Sequence, residues 1–410
     1  SDGSFEAELR EYGDPPDSLT AKFDMDTHGV VTMAGKNATP GEPGYGHGHM
    51  SADKNMIVLV NTWSNPRIAD KHCGQLTVLT QQGANYSTAD LEGTWHAHAL
   101  ASGSGAPWWM YAVLTVESDG AFSGWTHEYG EQAGDSDPSS GKLQINSEGV
   151  VSFAGRPSDP NQAGHVHGHM SADKNTMVMI SNWSTGPRPT NDFIILTRQA
   201  ESYDQSDLVG TWQGHSLASG DDAPWWEHTI SETSKDGTFT GEAVESDGTT
   251  SQIQGQYQLD ADGVVTLSGE SDVFRGHLSA DKDTIAFVNT RSTDTSEIRI
   301  VTRSKASSET WSADSSALGN EWYWLEWFGY FSMTFEPWVF HREHGFLYCM
   351  EASNGNSVYF YDLDLGWLFT SPDMYPSMFS FKKSAWLWYQ KGSKNPRNFV
   401  DLTTGKWEEH

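Results

Sequence analysis

The chain repeats itself. Gly93-Thr94-Trp95 recurs as Gly210-Thr211-Trp212, and Ala106-Pro107-Trp108-Trp109 as Ala223-Pro224-Trp225-Trp226, both at a spacing of 117 residues. Asp2-Gly3-Ser4-Phe5, Asp119-Gly120-Ala121-Phe122 and Asp236-Gly237-Thr238-Phe239 give three copies at that spacing. A His-x-Ser-Ala-Asp-Lys segment also occurs three times, beginning at His49, His169 and His277. Repeats of this size are self-contained domains, not solenoid rungs.

Inside a repeat every apolar pattern reads as strand. In the second copy the expected strands are Gly93–Leu100, Trp108–Glu117, Ala121–Tyr129, Lys142–Ile145, Val150–Ala154, His165–Met170, Met177–Trp183 and Phe193–Arg198. Short turns such as Ser147-Glu148-Gly149 separate them, and no helical period appears. An eight-stranded meander either closes into an up-and-down barrel or splits into two four-stranded propeller blades. The expectation is all-β, with the β-propeller as the alternative.

One internal comparison favours the barrel. Each full repeat opens with Gly-x-Trp and ends on Arg, pairing Trp95 with Arg198 and Trp212 with Arg303 as barrel-closing residues. Closure sets first and last strands side by side, where a guanidinium can cap an indole face. The first repeat starts at the third strand, and its last strand reads Leu79-Thr80-Gln81, so the Arg is missing where its Trp is missing. The Gly-x-Trp with a last-strand Arg resembles the calycin superfamily, which includes lipocalins. The first repeat is then an open barrel with unpaired edges. Truncation, the tail of the same chain, or strands from a neighbouring subunit would each account for it.

The tail differs. Lys305 to Ser316 is polar and reads as a linker, and nine of the 18 Trp follow it or lie within it, from Trp311 to Trp407. Four-residue aromatic strands recur at about ten-residue spacing. Leu365-Gly-Trp-Leu-Phe-Thr-Ser371, Tyr375-Pro376, Trp386-Leu-Trp-Tyr389 and Gly392-Ser393 with Pro396-Arg397 resemble a Trp- and Tyr-rich C-terminal module of secreted and surface proteins of marine bacteria. The Gly-Thr-Trp and Ala-Pro-Trp-Trp units likewise resemble tandem repeats of large bacterial extracellular proteins. Neither resemblance implies an activity. The expected domains are 1–82 (incomplete), 91–200, 208–304, the linker 305–317 and the aromatic module 318–410.

Charge narrows the partners. Lys and Arg number 25 against 55 Asp and Glu, a net charge of −30. Such a surface repels phosphate backbones, so nucleic acid is excluded as a partner. No apolar run reaches membrane-spanning length. The chain begins Ser-Asp-Gly, as a mature, processed or truncated product would. Cys73 and Cys349 form no metal motif, and sequence leaves their pairing open. Sequons at Asn37, Asn85 and Asn182 carry no weight in a bacterial secreted protein.

Four groups of residues could carry chemistry. His47 and His49 alternate, as do His165, His167 and His169, so each set shares a strand face and could ligate a transition metal. The third repeat reads Arg275-Gly276-His277 and loses the pair, which favours a plain polar face hydrogen-bonded to a nearby turn. Glu11, Glu128 and Glu245 are equivalent; three copies of a carboxylate argue for structure over catalysis. The Asp-rich turns Asp260-Ala-Asp-Gly263 and Ser279-Ala-Asp-Lys282 each lack the ligand count of a Ca²⁺ loop, and turn chemistry explains them. The tail residues Trp338, Trp367, Trp386, Trp388 and Trp407 are candidates for glycan stacking or subunit contact.

The sequence therefore predicts a non-catalytic, secreted, extracellular or cell-surface structural protein, a filament, sheath or surface-layer subunit that partners copies of itself head to tail. No cofactor is required, with Ca or a transition metal as the alternative. A carbohydrate-binding or adhesive protein is the second reading, and a polysaccharide-degrading enzyme the third.

Overall fold

A computed structural model describes residues 4–9, 17–26, 29–33, 39–40, 42–64, 72–103, 108–128, 136–159, 162–182, 190–220, 225–268, 273–292, 295–304, 311–312, 315–319, 321–335, 337–351, 357–372 and 374–410. The chain forms two compact units, 1–305 and 306–410. Among the described residues no helix is long and apolar enough to cross a membrane.

The first unit holds the three repeats. The first consists of β1 (Ser4–Leu9), β2 (Asp17–Met25), β3 (Val30–Met33), β4 (Gly46–Met50), β5 (Met56–Ser64) and β6 (His72–Thr80). The second consists of β7 (Gly93–Gly103), β8 (Trp108–Val116), β9 (Ala121–Glu128), β10 (Asp137–Ile145), β11 (Val150–Phe153), β12 (His165–Met170), β13 (Thr176–Asn182) and β14 (Thr190–Arg198). The third consists of β15 (Gly210–Gly220), β16 (Trp225–Thr233), β17 (Thr238–Glu245), β18 (Thr250–Leu259), β19 (Val264–Ser268), β20 (Val273–Leu278), β21 (Thr284–Ser292) and β22 (Thr295–Arg303).

The second and third repeats are closed eight-stranded antiparallel barrels, with first and last strands paired, Trp95 opposite Arg198 and Trp212 opposite Arg303. The propeller alternative is therefore corrected: the ladder runs unbroken from first strand to last instead of dividing into blades. Six strands of the first repeat form an open sheet in sequence order, β1 to β6. Each barrel is filled by its own apolar set. Trp95, Leu114, Leu143, Val151, Met177 and Leu196 fill the second; Trp212, Tyr257, Val265, Phe287 and Val301 fill the third.

A further core lies between the repeats. Val58, Val60 and Leu76 of the first, Leu100, Tyr111 and Ile195 of the second, and Trp226, Val288, Ile298 and Ile300 of the third pack together. These residues stand on the outward faces of their strands, so these strands are apolar on both sides over part of their length.

The second unit is an eleven-stranded antiparallel meander, from Ser316–Gly319 to Trp407–Glu409. Alternation sorts its side chains: Val339, Leu347, Phe360, Leu368, Leu387 and Phe399 are buried on one face. Among the described residues neither Cys73 nor Cys349 forms a disulfide.

Candidate functional site

Each barrel end is capped in the same way. A one-turn 3-10 segment, Thr88–Leu91 or Gln205–Leu208, precedes the first strand. Trp95 Nε1 donates to Leu91 O and Trp212 Nε1 to Leu208 O, both at 2.8 Å. The guanidinium carbons of Arg198 and Arg303 lie 4.3 and 4.2 Å from the indole centroids. Arg198 also donates to the carbonyls of Asp90, Glu92 and Lys174, and Arg303 to those of Asp207, Val209 and Lys282. In the first repeat Gln81 donates its backbone N–H to Asn55 O as Arg198 does to Asn175 O, so Gln81 holds the equivalent position. The cap is structural.

The three Ser-Ala-Asp-Lys turns build the most unusual feature. Ser51, Ser171 and Ser279 each accept a bond through Oγ from the backbone five residues on, at 3.0 Å. Lys54, Lys174 and Lys282 take φ of 65, 66 and 65°, the left-handed conformation that turns the chain back. The carboxylates of Asp53, Asp173 and Asp281 then converge, with oxygens within 4.8 Å of one another. One residue comes from each repeat at the same position, so this point marks a pseudo-threefold axis. Asn55 and Asn175 donate side-chain amides to Asp53 and Asp173 at 2.6 and 2.9 Å. The third repeat has Asp283 in place of that Asn. Burial and the neighbouring Asp173 push the Asp281 carboxyl up to about 7, and burial raises Asp283 to about 6. Asp173 is held below the usual range by its bonds from Asp281, Ser171 and Asn175, against its burial. Below about neutral pH the Asp173–Asp281 pair shares a proton. The three carboxyl groups face one point, and carboxylate oxygen is the donor type that Ca²⁺ or Mg²⁺ takes.

Sequence reasoning weighed these turns singly and missed their meeting. The available signal was the same Asp at the same place in three copies while the preceding His or Arg varied.

His47, His49, His96 and His277 pack between repeats. His47 stacks on His228 of the third repeat at 3.8 Å between centroids and lies 5.6 Å from His215. His49 bonds Thr302 Oγ1 and Ser304 Oγ, each at 3.2 Å. At the other junction His277 stacks on His96 at 3.5 Å and bonds Thr197 Oγ1 at 2.9 Å. His277 also reaches its own turn, bonding Asp262 O at 3.2 Å. Burial depresses His47 and His96 to about 4, His98 and His228 to about 3, and His215 and His277 well below the usual range. All are neutral at pH 7. His165 is fixed by Pro157 O at 2.8 Å, and the His167 ring lies 6.1 and 5.2 Å from those of His165 and His169. Among the described residues the aspartate trio alone brings three potential ligand groups together, so neither histidine set does.

Glu128 and Glu245 are exposed at the ends of β9 and β17, and Glu11 lies outside the described residues. A different charged group was not foreseen: Arg299 lies inside the third barrel, 2.5 Å from Glu227 and 3.2 Å from Glu297. The second repeat has Met110 and Ile194 at two of those three places, so the network belongs to one copy.

In the second unit the outer face of the meander is aromatic. Trp338, Tyr348, Tyr361 and Trp367 are successive cross-strand partners, giving one row over four strands. Tyr359, Phe369, Phe379 and Trp386 give a second row. Rings in these rows meet edge-on or tilted at 5.1–6.1 Å. Trp388 and Trp407 are exposed and meet edge-on at 6.4 Å. Arg397 of the tail motif pairs with the buried Asp362, a structural role.

No known protein family and no curated protein matches the chain. Among solved structures it is similar to a protein of unknown function from the DUF3598 family of Nostoc punctiforme, at 12% identity, TM-score 0.22, and coverage of 53% of this chain and 99% of that one. It is also similar to isotype 1 transferrin binding protein B of serogroup B Neisseria meningitidis, at 11% identity, TM-score 0.22, and coverage of 63% and 65%.

Proposed function

We propose that the chain is a non-catalytic extracellular structural protein that assembles through its repeats into a filament, sheath or surface layer. The observation that carries this reading is the packing of three equivalent repeats on one another through apolar outer faces, with Val58 and Val60 of the first, Leu100 and Ile195 of the second and Ile298 and Ile300 of the third in one core. The resemblance to tandem repeats of bacterial extracellular proteins supports the same reading. A repeat-to-repeat contact of this kind between copies of the chain joins different surfaces of successive subunits, so it propagates unless the rotation closes a ring. Negative-stain microscopy and light scattering of the native chain test it; extended or ring-shaped assemblies are expected.

A second reading is favoured by the aromatic rows of the second unit. Neighbouring strands lie about 4.8 Å apart, so a row of rings offers a line of stacking surfaces to a polysaccharide. On this reading the module anchors the chain to a glycan. Binding on a glycan array that is lost in Trp367→Ala and Trp386→Ala would support it.

A further inference from the structure

The 3-10 segments that precede the two closed barrels differ at their first residue. Gln205 opens the segment of the third repeat, and Thr88 opens that of the second. The Gln205 amide lies against β18 where the ladder with β17 has ended. Its Nε2 donates to Tyr257 O at 3.1 Å, and its Oε1 accepts from Leu259 N at 2.9 Å. One carboxamide thus completes a carbonyl and an N–H two residues apart, as one residue of a parallel strand does.

β10 of the second barrel presents the same pair of groups. Its ladder with β9 ends at Lys142 and Ala121. Lys142 O accepts from Ala154 N and Asn146 N donates to Val150 O, so Leu143 and Ile145, between them, face away from β11. Leu143 N donates to Gly120 O as Tyr257 N does to Gly237 O, both at 2.8 Å. Gly120 and Gly237 leave the neighbouring carbonyls open, since a Cβ would come within 2.3 Å of Leu143 O and 2.2 Å of Tyr257 O. Among the described residues, neither Thr88 nor any other group bonds Leu143 O or Ile145 N on this side. A groove of about 570 Å³ lies there, lined by these two residues with Thr88, Asp119, Lys142 and Gln144. That volume suits a small ligand. Lys142 Nζ and Asp119 Oδ2 are 2.9 Å apart and exposed; the third repeat has Gln256 and Asp236 at these places.

We propose that this groove binds a primary carboxamide of the glutamine type, held as the third repeat holds its own Gln205. The bound amide donates to Leu143 O and accepts from Ile145 N. A carboxylate in its place has no donor for Leu143 O and sets a negative charge against that oxygen. Lys142 and Asp119 line the same groove and offer opposite charges to the α-carboxylate and α-ammonium of free glutamine. A glutamine within a polypeptide brings the same amide without those charges. The site does not depend on assembly of the chain.

L-Glutamine is the probe, titrated into the full chain with its leucine and isoleucine amides labelled for NMR. The Ile145 N–H signal is expected to shift saturably, with L-glutamate binding at least about tenfold more weakly. Thr88→Gln installs the side chain that the third repeat carries at this position. It is expected to abolish the response and to slow exchange of the Ile145 N–H at least about tenfold. Gln205→Thr is expected to open a second site, read as a new glutamine response at Leu259 N–H. If Gln205→Thr does not fold, Thr88→Gln decides alone. No saturable response at Ile145, equal responses to glutamine and glutamate, or a response that survives Thr88→Gln overturns the site. A capped peptide with glutamine between glycines separates the sources. Binding of free glutamine but not of the peptide, weakened at least about tenfold in Lys142→Ala, supports the site and assigns a free amino acid. Binding of the peptide supports the site and assigns a partner polypeptide. An equal response to the same peptide with alanine in place of glutamine overturns the carboxamide assignment.

Discussion

Arg303 and Gln81 occupy one position in two settings, and the contrast shows what a single residue contributes. Arg303 lies over Trp212 and ties down three carbonyls; Gln81 has no tryptophan beneath it because its repeat lacks that strand. Arg303→Ala is expected to destabilise the third barrel by about 2–3 kcal/mol, through lost charged hydrogen bonds and the cation–π contact. Gln81→Ala should stay within about 0.5 kcal/mol. Thermal melts of both variants check this, and equal losses would contradict it. This pairing was legible in the sequence because the first repeat served as its own control. The aspartate trio was not, because its members come from three turns more than a hundred residues apart. Asp281 is raised from 3.8 to about 7, so its folded form holds a proton that the unfolded chain has lost. Its contribution to stability is full below about 3.8 and falls as pH rises towards 7. Asp281→Asn should therefore gain stability over the native chain across that window and keep the gain above it. At pH 8, calcium should raise the Tm of the native chain more than that of Asp281→Asn. Identical shifts would remove the trio as a cation site.

At the scale of strands, the turn residues and period-two patterns were enough to read the elements, because each barrel strand has one face in its own core. They did not reveal what the outer faces do. His47, His49 and His277 read as a polar face, since histidine is polar on average; in the structure His49 and His277 are buried and His47 half-buried, His47 and His277 stack on rings of another repeat, and His49 hydrogen-bonds Thr302 and Ser304. Their neighbours at the junctions are His96, His98, Tyr111 and Arg275 on one side, and Tyr45, His215 and His228 on the other. Each depressed histidine is neutral when folded and charged when unfolded below 6.5. Stability is therefore fully present above 6.5 and is lost as pH falls from there to the folded values of about 4 and 3. The junctions should open before the barrels melt. Acid titration followed by hydrogen exchange should show loss of protection at β4, β15 and β20 ahead of β10 and β18. Simultaneous loss everywhere would contradict the assignment. In the tail, the count of aromatics gave no way to divide them between core and surface; strand alternation divides them, with Phe331, Phe360, Tyr389 and Phe399 in the core and Trp338, Trp367, Trp386 and Trp388 on the opposite face.

At the scale of the molecule, the three repeats pack on one another through the outer faces of their strands. A repeat count from sequence alone reveals the copies but not that their outer faces meet. That follows from the pseudo-threefold packing, which depends on contacts between residues far apart in the chain. Light scattering of the native chain across a range of concentrations tests the assembly account most directly. The account predicts that the native chain grows with concentration. A monodisperse native monomer at every concentration would contradict it.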